Sequence, residues 1–191
     1  MPSHKGFLPG EAIRSHAEDS ASGGVHLDVI TAIKKRRSIR KYKNKEIPQD
    51  LLEEILETAR LAPSGANKQP WQLVVVTDPE RKKGLVPICK DQKFVAECSA
   101  FIAAIDDSGQ KWVRVDVAIA LEHIALAAVD RGLGTCWIGA FDPEKVGAYL
   151  EVPSGKQVTV CMTLGYPDEE PAARPRKDLR DLVSWNRFGN R

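Results

Sequence analysis

Apolar residues fall at Leu27, Ile30 and Ile33, with Asp28 in the first turn, which predicts a helix over 26–37. Ile47-Pro48 precedes a second helical stripe over 49–62, made of Leu51, Leu52, Ile55, Leu56 and Ala59, and Pro63-Ser64-Gly65 stops it. Gln72–Thr77 is a continuous β-branched run and reads as a buried strand. Asp78-Pro79 opens a short helix carrying Lys82 and Lys83, and 92–98 predicts another. Ala100–Ile105 is a second apolar strand, ended by Asp106-Asp107. Residues 112–131 form a long, Ala-rich helix, apolar almost all round, which demands burial; in a chain this small a second subunit is the expected cover. Thr135–Ile138 and Val158–Leu164 are further strands, separated by a helix that Asp142-Pro143-Glu144 begins and Tyr149 ends. The order is ααβαβαβαβ plus a Pro-rich, charged tail with no core stripe, a pattern of short strands and interleaved helices that makes an α+β or α/β sandwich. Three parts are expected: a flexible N-terminal arm over 1–26, one domain over 27–168, and a tail over 169–191 that packs on the domain or a partner subunit.

Composition narrows the class. With 191 residues and a net charge of +2, the chain builds one real core and is no general polyanion binder. The positive charge is local: eight of the twelve residues from Lys34 to Lys45 are basic. A nucleic-acid module using that run is a distant alternative, since no groove-reading or aromatic-interleaved motif accompanies it. The four cysteines (Cys89, Cys98, Cys136, Cys161) show no metal or disulfide spacing, so a reduced, cytoplasmic setting with four buried thiols is expected. The longest apolar run, 117–129, is broken by Glu122 and His123 and is too short for a membrane span. His123 reads as a structural histidine.

Three segments carry candidate chemistry. Arg36-Arg37-Ser38-Ile39-Arg40 packs guanidinium forks and a hydroxyl into a phosphate clamp; the alternative is a set of side chains capping a helix C-terminus. Pro63-Ser64-Gly65-Ala66-Asn67-Lys68-Gln69-Pro70-Trp71 is a polar shelf for a planar ligand, or else a rigid turn plugged by Trp71. Gly132-Leu133-Gly134-Thr135-Cys136-Trp137-Ile138-Gly139 is no dinucleotide fingerprint, because a helix precedes it and a strand follows; its glycines are expected to let backbone approach a flat ring. Walker A, H-E-x-x-H and G-x-S-x-G patterns are absent.

In order and spacing these segments, with Arg174-Pro175-Arg176-Lys177, resemble the nitroreductase family over about residues 27–180. The resemblance implies an α+β fold with a mostly antiparallel central sheet flanked by helices, an intertwined homodimer, and two FMN molecules at the subunit interface. It implies that Arg36, Arg37, Ser38 and Arg40 contact the FMN phosphate, ribityl and ring edge, and that Arg176, with Arg174, forms a second phosphate clamp. Pro63, Ser64 and Gly65 resemble the loop packing on the partner's flavin, with Asn67 and Gln69 beside it. Trp137, Ile138, Gly139 and Ala140 resemble the strip beside flavin N5, and Asp91, Gln92 or Lys93 is to offer a polar ring contact. The implied activity is reduction of nitroaromatics, quinones or similar small acceptors by NADH or NADPH, in ping-pong fashion through N5 with no catalytic side chain. The short connection 106–111 leaves no room for the substrate lid of many members and implies an open ring face. Within flavin chemistry the alternatives are a dehydrogenase or a flavin-processing relative in cobalamin ligand synthesis; a flavin-holding dimer without turnover is a third.

Overall fold

The computed structural model describes residues 27–107, 109 and 111–191, so the arm expected over 1–26 lies outside the described residues. Seven helices are present among them: α1 (Val29–Lys35), α2 (Gln49–Arg60), α3 (Pro79–Ile88), α4 (Phe94–Glu97), α5 (Val113–Asp130), α6 (Pro143–Tyr149) and α7 (Leu179–Leu182). Four strands, β1 (Trp71–Val76), β2 (Ala100–Asp107), β3 (Gly134–Ile138) and β4 (Lys156–Gly165), form one sheet in the order β1-β2-β4-β3. Every neighbouring pair is antiparallel, with a bulge opposite Ala104/Ile105. The expected mostly antiparallel α+β sheet is therefore the observed one.

Alternation along β2 explains the layers. Phe101, Ala103 and Ile105 enter one core with Leu85, Val95, Cys136, Ile138 and Val146, beneath α3, α4 and α6. Ala100, Ile102 and Ala104 enter the other with Leu52, Ile55, Leu121, Ile124, Met162 and Leu164, beneath α2 and α5. Both faces of the sheet are covered, so its central strands are apolar along Ala100–Ile105 of β2 and mostly apolar along Val158–Leu164 of β4; each fully buried large side chain contributes about 1.5–3 kcal/mol. Local signals set the ends of the elements. The Asp28, Asp78 and Asp142 carboxylates accept from the amides of Thr31, Arg81 and Lys145 and cap α1, α3 and α6.

Several boundaries differ from the sequence pattern. Asp106 and Asp107 belong to β2: buried Asp106 accepts from Gln157 Nε2 at 3.1 Å and from Thr159 Oγ1, and Asp107 pairs with Lys156 at 3.3 Å. Trp71 begins β1, one residue before the predicted strand, and packs half-buried against the α2–α5 core. α5 is buried along Val113, Val117, Ala120, Leu121, Ile124, Ala125 and Ala128, yet Val115 is 51% exposed. His123 is structural, its Nδ1 3.1 Å from the Thr58 carbonyl of α2. No helix of the described residues is long and apolar enough to cross a membrane.

All four cysteines are free and buried. Burial pushes the Cys89 thiol up to about 11 and Cys98 up to about 12. A thiol whose pKa rises on folding stabilises the native state below its unfolded value of 9.0, and that contribution is lost as pH climbs through the folded value. Chemical denaturation at stepped pH is expected to show stability falling steadily between about pH 9 and 12, and a thiol reagent at pH 8 is expected to label the native chain far more slowly than the unfolded one.

Candidate functional site

The basic segment is held across the end of the sheet. The Arg36 amide closes α1 by donating to the Ala32 carbonyl at 2.9 Å. The chain then runs past β3: Ser38 makes a parallel bridge to Thr135, and the Ile39 amide donates to the Thr135 carbonyl at 2.9 Å. Three residues on, Tyr42 bridges antiparallel to Pro167, and Lys43 N–H reaches the Tyr166 carbonyl at 2.9 Å. Residues 38–43 thus act as a short extra strand joining the start of β3 to the residues just beyond β4.

This placement explains one of the glycines. A Cβ on Gly134 would lie 2.4 Å from Ile39 Cγ1 and 3.0 Å from Pro167 Cγ, so only glycine lets the basic segment lie so close to β3. Gly132 (φ +69°) serves the turn after α5. Gly132 serves the chain itself through its positive φ and Gly134 through the close approach of Ile39, while Gly139, with nothing within 4 Å of its Cβ position, opens onto free space.

Around this frame the cations divide. Arg37 Nη1 donates to the Lys34 and Arg36 carbonyls, each at 2.8 Å, which is the helix-capping arrangement. Arg36 Nε stands 3.7 Å from Glu122 of α5, half-buried. The exposed Arg40 donates its backbone amide to Glu169. Lys41 pairs with Asp168 at 3.0 Å, and Lys45 Nζ sits 4.0 Å from the centre of the Tyr166 ring. Burial raises the Cys136 thiol; the charges of Arg40 and Arg36 and a Ser38 hydrogen bond lower it, and Glu169 raises it. Beside them, Thr135 Oγ1 is buried with no hydrogen-bond partner. Arg174 and Arg176 are exposed, five and seven residues beyond the Glu169 that holds the Arg40 amide.

The second segment is a tight loop. Ser64 Oγ accepts from the Gln69 amide at 2.9 Å, and the Ser64 carbonyl accepts from the Asn67 amide at 2.9 Å. Ala66, Asn67 and Gln69 have φ of 53°, 55° and 49°, left-handed values that are strained for residues with side chains. Gln69 Nε2 reaches Asn67 Oδ1 at 3.3 Å, so these two side chains face each other. Pro63, Gly65, Asn67 and Gln69 are exposed and Ser64 is half-buried. The Gly65 amide lies 3.4 Å from both carboxylate oxygens of Asp116.

The third segment ends β3. Trp137 is half-buried, Ile138 buried, and Gly139 and Ala140 exposed. Of Asp91, Gln92 and Lys93, it is Gln92 that reaches this strip, its Nε2 donating to the Ala140 carbonyl at 2.9 Å and to the Cys89 carbonyl at 2.7 Å. A cavity of about 890 Å³ between residues 42–52, the start of α3 and Ala96–Ala100 is lined by none of the residues chosen from the sequence. At its wall Lys82, buried, donates to the Cys98 and Ser99 carbonyls.

Sequence reading missed Asp116, Glu122, Thr135 and Glu169. Glu122 was visible as a break in an apolar helix, and Asp116 as the lone acid of that helix's first turn.

The nitroreductase family model matches residues 33–107 and 91–166. A Thermus thermophilus protein named NADH dehydrogenase is 33% identical, covering 83% of this chain and 96% of its own. Among solved structures, an FMN-dependent nitroreductase of Clostridium difficile R20291 is 34% identical with a TM-score of 0.75, covering 83% of this chain and 99% of that one. An NADPH:FMN oxidoreductase of Vibrio harveyi, complexed with NAD+, is 27% identical with a TM-score of 0.78, covering 84% and 77%. Fold and matches together define an oxidoreductase of the nitroreductase type. The chain belongs to the nitroreductase family.

Proposed function

We propose that this chain is an FMN-dependent oxidoreductase that uses NADH or NADPH to reduce small acceptors such as nitroaromatics and quinones. The observation that carries the reading is that the segment bearing Arg36, Ser38 and Arg40 is laid against the start of β3, within a family whose members include an FMN reductase [NAD(P)H] of Bacillus subtilis. The residues present suit the cofactor. Cationic forks and a hydroxyl match a phosphate. The orphaned Thr135 hydroxyl sits beside Ser38, and Gly139, just past the end of β3, has open space where a side chain would be.

In this reading Arg36, Ser38 and Arg40 hold the phosphate and ribityl chain, Arg174 and Arg176 reach the same phosphate from the tail, and Arg37 fixes the end of α1 that carries them. Trp137, Ile138, Gly139 and Ala140 lie along the ring, their position fixed by Gln92 on the Ala140 carbonyl. Pro63, Ser64, Gly65, Asn67 and Gln69 form a wall against the ring of a second copy. Bound there, FMN supplies the redox chemistry, accepting a hydride from the nicotinamide and returning electrons to the acceptor. The protein contributes binding, orientation and exclusion of water, and no side chain serves as acid, base or nucleophile.

The working form is an intertwined homodimer in the cytoplasm, of a 27–168 domain and a 169–191 tail. Support comes from apolar side chains that one copy leaves uncovered: Val29, Ile30 and Ile33 on α1, and Leu179, Leu182, Trp185 and Phe188 in the tail. β2 ends at Asp107 and α5 begins at Val113, and so short a connection favours broad acceptance. The basic run is engaged with the chain itself through Glu122, Asp168, Tyr166 and the α1 carbonyls, which disfavours a nucleic-acid role.

The deciding experiment is the visible spectrum of the purified protein. A flavin spectrum that bleaches with NADH or NADPH under anaerobic conditions, and returns on adding a nitroaromatic or quinone, is expected, with parallel double-reciprocal lines. A colourless protein that takes up no added FMN would end the proposal. Bleaching without recovery would favour the non-reductase alternatives.

A further inference from the structure

We infer that Asp116 is a positioning residue for the loop that lies against the cofactor, an inference that rests on the flavin reading above. Asp116 is 6% exposed on a helix face whose other members are Val113, Val117 and Ala120. A carboxylate in such company is costly unless it is hydrogen-bonded. Both of its oxygens lie 3.4 Å from the Gly65 amide, across 51 residues of sequence. That contact matters because Gly65 leads into a strained stretch of backbone. Three of the four residues Ala66–Gln69 hold left-handed φ values, a conformation that persists only where the surroundings impose it. The bonds from the Asn67, Lys68 and Gln69 amides to Ser64 and Gly65 close the loop on itself, while the Gly65 amide ties it to α5. The same helix start presses from the side: Trp112 Cδ1 lies 3.9 Å from the Cβ position of Gly65.

Asp116 therefore sets the height and angle of the Pro63–Gln69 wall. The competing role is a plain charge in the first turn of α5, which stabilises the helix and nothing else.

The test compares the Asp116→Ala and Asp116→Asn proteins in three readouts: tryptic cleavage after the exposed Lys68, FMN affinity by fluorescence quenching, and thermal melting. Asp116→Ala is expected to be cut at Lys68 about tenfold faster and to bind FMN about tenfold more weakly, the loss of one charge-assisted bond. Asp116→Asn keeps an acceptor oxygen and is expected to recover most of both effects, remaining within about threefold of wild type. A lower melting temperature with wild-type cleavage and FMN affinity would overturn the inference, because only the helix would then have changed. So would an asparagine variant as impaired as the alanine one, which would assign the effect to charge alone. If the alanine variant does not fold, hydrogen exchange at the Gly65 amide of the wild-type protein decides: protection supports the hold by Asp116, and exchange as fast as a free amide's refutes it. A wild-type protein that takes up no FMN would sink the cofactor reading, while Lys68 cleavage in the protein alone still reports whether Asp116 holds the loop.

Discussion

Replacing Arg36 and Arg40 together by alanine is expected to raise the dissociation constant for FMN by about a hundredfold or more. A hydrogen bond to a charged group contributes about 1.5–3 kcal/mol, and two lost from one phosphate sum to a factor of about 10²–10⁴. The lower part of that range applies, because Arg40 is exposed and Arg36 half-buried, so solvent screens both. The fold should survive. Arg40 enters the framework through its backbone amide, donated to Glu169, and alanine keeps that amide. Arg36 loses its 3.7 Å pairing with Glu122, an ion pair open enough to solvent to be worth less than about 1 kcal/mol. Fluorescence titration with FMN, alongside a melting curve, separates the two effects. The double lysine variant sharpens the test: it restores the charges without the planar forks, and its affinity should fall between wild type and the alanine pair. Unchanged affinity in the alanine pair would show that these two cations do not hold the cofactor.

The architecture was legible where one strong local signal decided the outcome. The β-branched run Gln72–Thr77 and the apolar run Ala100–Ile105 both read as buried strands; both are strands, and Ala100–Ile105 is buried, while β1 lies at the sheet edge with only Val76 buried. Helix starts were legible through Asp78 and Asp142, whose carboxylates accept from the first free amides of α3 and α6. The residues that escaped are those whose environment is created by distant partners. Asp106 looked like a strand terminator and is instead a buried acceptor, because Gln157 and Thr159 arrive from β4. Nothing in the sequence set Lys82 apart from Lys83 on α3, yet Lys82 is buried, because two carbonyls just before β2 face it. The candidate site obeyed the same rule. The basic segment and the Pro63–Gln69 loop announced themselves by composition. Their holders Glu122, Asp116 and Glu169 did not, since a carboxylate on a helix or tail reads as solubility until the fold brings a donor to it.

The glycines of the β3 motif give the second large effect. Gly134→Ala is expected to lower stability by about 2–3 kcal/mol, the upper range for overpacking a core, and to depress the melting temperature by roughly 5–10 °C in a chain of this size. The added methyl would sit 2.4 Å from Ile39 Cγ1, and Ile39 has nowhere to retreat. It is 5% exposed within the core beneath α3, α4 and α6, and its amide is bonded to Thr135. Relief must come from moving the backbone of residues 38–40 away from β3, which breaks the Ser38–Thr135 bridge and carries Ser38 and Arg40 with it. Loss of stability and loss of FMN affinity are therefore coupled in this one variant. Gly139→Ala, five residues on, is expected to melt as the wild type does, since nothing lies within 4 Å of its Cβ position. Melting curves of the two variants, each paired with an FMN titration, check the contrast. Equal melting temperatures for the two would mean that the basic segment is not clamped onto β3.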